Sequence, residues 1–244
     1  MNIGIITQAR MASTRLYGKV LLQANGQPML FYHVNRLKWS QTPIYIATTQ
    51  DVTDDKIVLF ANQHGIPCFR GPSEDVLARF YECALHYKLD AIVRVCSDCP
   101  LIDGHLIRMG IWQYIKMNDP FLYLSNSIFK ELPIGFDYEI FSFKLLQEAY
   151  QNAKCPQERE HVTPYIKKNS SSHITIVNSQ SPIVLTSLQK SFRLTMDTIE
   201  DFNLLKQLIE KHHSADQSYL EIIEVLTQNP LQAKINAHIV QKSI

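Results

Sequence analysis

The first nineteen residues, MNIGIITQARMASTRLYGK (residues 1–19), join a short apolar run to a basic segment. Residues 2–8 have the length and apolar content of a buried β-strand. Residues 9–19 follow directly and carry three cations together with the hydroxyl groups of Ser13 and Thr14. Ligands characteristically bind at the carboxyl ends of strands in an open parallel sheet. We therefore predict that residues 9–19 form a binding loop at that edge.

Short apolar runs alternate with longer segments of helical periodicity along the rest of the chain. The strand candidates are residues 2–8, 43–49, 67–69, 90–95, 121–125, 138–141, 173–177 and 192–195. The helix candidates are residues 28–37, 54–64, 103–117, 143–153, 157–168, 199–211 and 216–227, with a further helix that opens at Ser73 as its N-cap. This alternation predicts an α/β fold in which crossover helices cover a mostly parallel sheet.

The charge balance limits the partners that the chain can bind. Its 24 Lys and Arg residues nearly match its 23 Asp and Glu residues, so no global field attracts a polyanion such as nucleic acid. Any phosphate site must therefore be local. No apolar run approaches the length of a membrane span, and the first residues lack the basic region of a signal peptide. We expect a cytoplasmic protein that binds neither nucleic acid nor membrane.

The irregular sequence is concentrated in the second half of the chain. It lies mainly at residues 126–135 and 178–191. Insertions into a sheet at such places often build a substrate lobe or a dimer arm. We expect residues 1–244 to form one domain, in which residues 120–195 contribute these insertions.

The cysteines do not form a disulfide scaffold, because there are only five in 244 residues. Cys96 and Cys99 form a C-x-x-C motif that is compatible with redox chemistry. Asp98 lies between them, however, and no second pair completes a tetrahedral zinc site. We expect reduced, packed thiols.

The cations of residues 9–19 suit a phosphate ligand. Arginine presents a planar fork to phosphate oxygens, and lysine presents a compact charge. The alternative is a solvated loop in which Arg10, Arg15 and Lys19 only meet surface acids. The loop is not a P-loop, because the spacing G-x-x-x-x-G-K-[ST] is absent.

The string A-R-x-x-S-T-R-L-x-x-K in residues 9–19 resembles the signature of the sugar cytidylyltransferases that make CMP-activated 3-deoxy-manno-octulosonate and CMP-nonulosonates. The chain looks most similar to the subgroup of spore-coat polysaccharide biosynthesis cytidylyltransferases. Tyr17 and Ile199 stand where relatives commonly have proline, and Ala12 replaces a common glycine. Further matches occur in the same order at residues 69–71, 73–79, 98–103, 135–139, 158–164 and 196–201.

The resemblance implies a three-layer α/β/α fold of the nucleotide-diphospho-sugar transferase type, which is Rossmann-like and has a mostly parallel mixed sheet. It implies a CTP site in which Arg15 and Lys19 are catalytic, because positive charge at the β- and γ-phosphates stabilises departing pyrophosphate. The nucleotide-binding residues carried over by position are Ala9, Arg10, Ser13, Arg15, Lys19, Ser73 and Arg79. For Ser73 and Arg79, the alternative is an ordinary N-cap followed by a solvated side chain.

Two acids are candidates for binding a metal ion. Asp98 and Asp197 each follow a predicted strand, so both can project into one cleft. Two carboxylates, nucleotide phosphates and water form an oxygen-only shell that suits Mg²⁺. The alternative is that each acid caps the helix that follows it, which sequence alone favours. The resemblance reverses that preference and implies Mg²⁺ binding.

The resemblance also places a group of polar residues on the acceptor-sugar side. An acid or a histidine near the anomeric hydroxyl could assist its deprotonation. The alternatives are an exposed helix start for residues 158–160 and a satisfied, half-buried histidine at position 161. The sugar-binding candidates are Asp137, Glu139, Glu158, Glu160 and His161.

The expected reaction is transfer of CMP from CTP to the anomeric hydroxyl of an acidic keto sugar, a nonulosonate or octulosonate, for surface polysaccharide or glycan biosynthesis. A nucleotide-sugar-dependent glycosyltransferase is an alternative, because such enzymes share α/β nucleotide domains and carboxylate-bound metal. A non-catalytic nucleotide-binding module is another. Relatives are commonly homodimers, and we expect the same here.

Overall fold

A computed structural model describes residues 1–169 and 173–241. The strands are β1 (Ile3–Gln8), β2 (Gln23–Ala24), β3 (Gln27–Pro28), β4 (Ile44–Thr49), β5 (Cys68–Gly71), β6 (Ala91–Cys96), β7 (Leu122–Ser125), β8 (Glu139–Ser142) and β9 (Thr175–Asn178). The helices are α1 (Met29–Leu37), α2 (Asp55–Gln63), α3 (Val76–His86), α4 (Gly104–Met117), α5 (Phe143–Asn152), α6 (Pro156–His161), α7 (Pro164–Lys168), α8 (Ser187–Lys190), α9 (Ile199–His212), α10 (Tyr219–Gln228) and α11 (Pro230–Ala233).

The main sheet has the strand order β5-β4-β1-β6-β8-β7-β9. Strand β1 is central and pairs in parallel with both β4 and β6. Strand β8 runs antiparallel to its neighbours β6 and β7, so the sheet is mostly parallel but mixed, as predicted. The carboxyl ends of β4, β1 and β6 therefore meet at one edge, which the amino end of β8 also reaches.

Helices cover both faces of the sheet. Ile5 and Val93 face a core that includes side chains of α1, α4, α9 and α10. Ile6 and Ile92 face the other way, into a core with α3 and α5. Because successive strand residues point to opposite faces, each central strand contributes to both cores. The predicted three-layer α/β/α fold is confirmed.

The strand predicted at residues 192–195 does not form. Arg193 makes only an isolated bridge to Ile134. The backbone N–H of Leu194 donates to Ile134 (2.8 Å), whereas that of Met196 donates to Asp98 (2.7 Å). The segment therefore changes partner within two residues and cannot continue one ladder of hydrogen bonds.

The helix predicted at residues 157–168 is broken into α6 and α7. Val162 has a φ of 70° between them. Pro164 begins α7, and inside one continuous helix its missing N–H would remove a backbone hydrogen bond and its ring would clash with the preceding turn. The break turns the side chain of Thr163 toward the sheet, where it donates to Glu139.

The predicted N-cap at Ser73 is also wrong. Helix α3 begins at Val76, and Asp75 is its cap, with Oδ1 accepting from the N–H of Ala78 at 2.9 Å.

Across residues 1–169 and 173–241, no helix combines the length and the apolar character needed to cross a membrane.

Candidate active site

The basic loop of residues 9–19 leaves the carboxyl end of β1, between β4 and β6, as expected. Buried Met11 anchors it, because the N–H of Met11 donates to Asp54 Oδ1 (2.7 Å) and its carbonyl accepts from Ser13 and Gly18. Gly18 closes the loop with a φ of 65°, a conformation that glycine adopts without strain. The loop thus has a fixed path, with Arg10 and Arg15 on its exposed side.

Lys19 joins the two acids predicted to bind metal. Its Nζ lies 2.9 Å from Asp98 Oδ2 and 2.9 Å from Asp197 Oδ1. Arg15 Nη2 is 3.0 Å from the same Asp197 oxygen. Burial lowers the pKa of Lys19, but the charges of both carboxylates outweigh it and raise this pKa above its usual value. The structure therefore brings together the two catalytic and the two metal candidates.

Neither of these acids caps a helix. Asp103 caps α4, with Oδ1 accepting from His105 N–H at 2.8 Å. Thr198 caps α9 in a capping box with Asp201. The interpretation of Asp98 and Asp197 as helix caps is thus wrong, and their carboxylates face Lys19.

Arg193 contacts the Asp197 carboxylate oxygen that Lys19 does not contact, and we did not predict this residue from the sequence. Its Nη2 donates to Asp197 Oδ2 (2.8 Å) and its Nε to Asp201 Oδ1 (2.8 Å). Asn236 also donates to Asp201 (2.7 Å), so the C-terminal segment docks against this network. Burial raises the pKa of Asp197, but the charges of Lys19, Arg15 and Arg193 together have a larger, opposite effect. The pKa is therefore lowered below its usual value, and the carboxylate is ionised. Arg193 precedes Asp197 by four residues, and this spacing was its only sequence signal.

Arg79 is buried beneath the same edge of the sheet. Its side chain is 1% exposed, and Nη2 makes a 3.4 Å bond to the carbonyl of Ser73. Its Nε has no hydrogen-bond partner within the described part of the chain. Burial lowers the pKa of Arg79 to about 10, and the charge of Arg10 contributes in the same direction. The alternative of a solvated side chain is therefore wrong, and Arg79 has unused donor capacity.

A second polar group, the Glu139 cluster, surrounds the predicted sugar-site residue Glu139 on β8. The residues that donate to its buried carboxylate are Arg94, Tyr123 (2.5 Å), Thr163 (2.8 Å) and Lys167 (3.1 Å). Burial raises the pKa of Glu139, but the charges of Arg94 and Lys167 prevail and lower it to about 2. Glu139 therefore remains a carboxylate across the physiological pH range and is a poor proton acceptor.

Asp137 has the opposite electrostatic environment. It lies two residues before β8, and its Oδ2 accepts from the N–H of Gly135 at 3.1 Å. Burial raises the pKa of Asp137 to about 6. Its charge also helps to raise the pKa of Cys99, the residue after Asp98, and the charge of Glu139 helps to raise the pKa of Asp137 itself.

The three candidates on α6 separate in space. Half-buried His161 lies near the Glu139 cluster: burial lowers its pKa, and Arg94 and Lys167 act in the same direction. Glu160 is exposed. Glu158 is engaged elsewhere, since it accepts from the backbone of Lys154 (3.2 Å) and closes the capping box of α6. The structure thus brings Glu139 and His161 together but not Glu158.

The remaining candidates give no complete metal or redox centre by themselves. Among the described residues, no group of three or more His, Cys, Asp or Glu side chains could hold a metal ion. Cys96 and Cys99 are free, and burial raises the pKa of Cys96 to about 12 and that of Cys99 well above its usual value. Neither thiol is activated for redox chemistry.

An α/β/α sheet with a cationic loop and two converging acids at its carboxyl edge has the architecture of a nucleotide-binding enzyme. The family model described as cytidylyltransferase matches residues 3–234, and the chain belongs to this family. It is 32% identical to the spore coat polysaccharide biosynthesis protein SpsF of Bacillus subtilis over 237 residues, 94% of this chain and 95% of that protein. It is 27% identical to a 3-deoxy-manno-octulosonate cytidylyltransferase of Nitratiruptor over 248 aligned positions, 96% of this chain and 98% of that protein. A solved cytidylyltransferase of Leptospira borgpetersenii superposes with a TM-score of 0.87 at 33% identity, and the match covers 100% of both chains.

Proposed function

We propose that this cytidylyltransferase couples CTP to the anomeric hydroxyl of an acidic keto sugar and releases pyrophosphate. The observation that carries this proposal is the meeting of Lys19 with Asp98 and Asp197 at the end of the basic loop. Membership of the family favours this reaction over that of a glycosyltransferase. The named octulosonate relative supports an acidic keto sugar as the acceptor.

The cations divide into two sets around the nucleotide. Arg15 and Lys19 would bind the β- and γ-phosphates, where negative charge grows as pyrophosphate leaves. Arg79, whose Nε is closed off from solvent, would contribute its charge from the buried side of the loop, with Arg10 on the exposed side. Each cation then compensates a charge that the substrate brings.

Mg²⁺ fits the donor set that Asp98 and Asp197 form around Lys19. The two carboxylates converge on one point, where a cation, the Lys19 ammonium, already lies. Asp98 and Asp197 would hold the ion, and water and phosphate oxygens would complete a shell of the kind Mg²⁺ prefers. When bound, Mg²⁺ supplies charge neutralisation and alignment of the phosphates. Lys19 would then donate to phosphate oxygens instead of to the acids.

The acceptor would enter from the side of β8. The sugar hydroxyl must lose a proton as it attacks the α-phosphorus in line with the departing pyrophosphate. Asp137, whose pKa is raised to about 6, is better suited to take that proton than Glu139, whose pKa is lowered to about 2. Glu139 instead fixes the positions of Arg94, Thr163 and Lys167.

Pyrophosphate release in the presence of CTP, Mg²⁺ and a panel of octulosonic, neuraminic, legionaminic and pseudaminic acids tests the proposal. We expect release with at least one acid. Asp98→Asn should abolish it while the melting temperature changes little. Asp197→Asn should also abolish it but should lower the melting temperature, because Asp197 is buried and paired with Lys19 and Arg193. Asp55→Asn, which alters an exposed acid paired with Arg70, is the matched control and should keep full activity. Release by both site variants at the wild-type rate would contradict the metal assignment.

A further inference from the structure

The Glu139 cluster carries more positive than negative charge. Arg94 and Lys167 both pair with the single carboxylate of Glu139. The carboxylate can neutralise one of them. Two further acids lie nearby: Asp137, which is electrostatically coupled to Glu139, and exposed Glu160, whose charge reaches His161. The cluster can therefore take up a further anion at Lys167, which shares the Glu139 carboxylate with Arg94.

Two polar atoms on strands β1 and β6 lie near the Glu139 cluster and the basic loop of residues 9–19. Arg94 Nε and Gln8 Oε1 are buried, and neither has a hydrogen-bond partner in the described part of the chain. Gln8 pairs with Cys96 across β1 and β6, and Arg94 lies two residues before Cys96, so the three side chains share one face. Both atoms are closed off from solvent, so an incoming ligand would meet the cluster at its exposed member.

Lys167 is the cation of the cluster that a ligand can reach. Its side chain is 47% exposed, compared with 13% for Arg94. An ammonium group has three donors, and Glu139 at 3.1 Å uses one of them. Lys167 can therefore keep its contact with Glu139 while it donates to an incoming anion. The break at Val162 fixes this position, because it sets α7 at an angle to α6 and directs Thr163 onto Glu139.

We propose that Lys167, supported by Arg94 and Glu139, binds the carboxylate of the acceptor sugar and thereby selects acidic over neutral acceptors. The inference rests on the proposed function, since it concerns the acceptor of the same reaction. It assigns the discrimination to a residue of α7 rather than to the cations of the nucleotide loop. Glu139 is the positioning residue in this arrangement, and Lys167 is the group that touches the substrate.

The test compares the best acidic keto sugar with the carboxamide of the same sugar. Wild type should prefer the acid. Lys167→Met should raise KM for the acid about tenfold, equivalent to about 1.4 kcal/mol, while KM for CTP and KM for the carboxamide stay unchanged. Lys167→Arg should restore the preference for the acid. Lys168→Met is the matched control, because the Lys168 side chain is 79% exposed and lies 3.9 Å from Glu158; it should behave as wild type.

The outcomes separate this inference from the proposed function. If wild type uses an acidic sugar and Lys167→Met keeps the full preference for the acid, the role of Lys167 is contradicted and the proposed function stands. If Lys167→Met weakens use of acid and carboxamide equally, its role is structural and the inference is wrong. If wild type releases pyrophosphate only with neutral sugars, or with no sugar, the proposed function and the inference fail together.

Discussion

The Nζ atom of Lys19 lies 2.9 Å from Oδ1 of Asp197, although 178 residues separate them along the chain. The contact places a cation of the first loop against an acid of the last third of the sequence. Since Asp98 approaches the same ammonium at 2.9 Å, Lys19 occupies the point where the two carboxylates converge. In the proposed function, nucleotide binding and Mg²⁺ binding would therefore be coupled through one side chain.

Replacement of Lys19 should separate these two roles. Lys19→Met should lower kcat about 10²- to 10³-fold, the usual loss when a group that stabilises transition-state charge is removed. Without CTP, the same variant should bind Mn²⁺ more tightly than wild type does, because no ammonium competes for the carboxylates. Titration followed by electron paramagnetic resonance measures this. Lys38→Met, at an exposed lysine bonded to Asn35, should change neither quantity.

Removal of Arg193 should destabilise the fold as well as the site. Arg193→Met leaves the buried acids Asp197 and Asp201 without their shared cation. Breaking a buried ion pair in this way costs about 3–5 kcal/mol. Urea unfolding measures the loss. Lys206→Met breaks an exposed i,i+4 pair with Glu210 and should cost about 0.5 kcal/mol or less. Equal losses in the two variants would show that Arg193 lacks the structural role assigned to it.

The pH dependence of stability should report on His33. Its Nε2 contacts Thr7 Oγ1 (2.8 Å), its Nδ1 contacts the Cys99 carbonyl (2.9 Å), and burial lowers its pKa from about 6.5 to about 4. The unfolded chain therefore binds a proton at a higher pH than the folded protein does. The contribution of His33 to stability is fully present above about pH 6.5 and is lost as the pH falls toward 4, by about 3 kcal/mol.

The ionisation of Asp137 changes the free energy of unfolding in the opposite direction over part of this pH range. Its pKa is raised to about 6 in the folded protein, so its contribution is present at low pH and is lost as the pH rises through 6. The measurement must therefore compare the free energy of unfolding of His33→Gln with that of wild type from pH 7 to pH 4. The difference between them should shrink as the pH falls. A constant difference would contradict the neutral, buried state of His33.

Asp137→Asn should change the pH profile of the reaction. If Asp137 takes the proton of the sugar hydroxyl, kcat/KM of wild type should fall below about pH 6, and the variant should lose about 10²- to 10⁴-fold in rate together with that acidic limb. Glu224→Gln, at an exposed acid of α10 that bonds to Gln228, should retain both. A wild-type acidic limb that persists unchanged in Asp137→Asn would assign the proton to another group.

Gly18→Ala should weaken CTP binding through the shape of the loop. Both Gly18 and Gly26 have positive φ, and an added Cβ at Gly18 would lie 2.9 Å from Met11 Cε, whereas one at Gly26 would meet nothing within 4 Å. Each substitution should cost about 1–2 kcal/mol of stability from the left-handed backbone. Only Gly18→Ala should also reduce CTP affinity in calorimetry. Equal CTP affinities in the two variants would argue against a shaped loop.

The sequence was informative where local chemistry determines the structure. The strand of residues 2–8 and the basic loop after it lie where their patterns predicted. The convergence of Asp98 and Asp197 was favoured by the family resemblance, whereas the local pattern alone favoured two helix caps. The strand predicted at residues 192–195 fails, because its backbone bonds to two partners that are remote in sequence, Ile134 and Asp98.

Residues whose role depends on remote partners could not be found in advance. Arg94 stands within an apolar strand, Lys167 within a basic helix end, and neither spacing indicates that both share Glu139. Glu158 shows the converse: a position in a recognised motif predicted a sugar contact, whereas local capping of α6 engages its side chain. Tertiary pairing of charges is set by sheet order, which the sequence pattern left open.

The most direct test of the central claim is a crystal structure of the protein with CTP and Mn²⁺, with the metal located by anomalous scattering. We expect the Mn²⁺ peak between the carboxylates of Asp98 and Asp197, with Lys19 Nζ moved from the acids onto phosphate oxygens. A structure in which CTP is bound while Lys19 still bridges Asp98 and Asp197, with the metal elsewhere, would contradict the account.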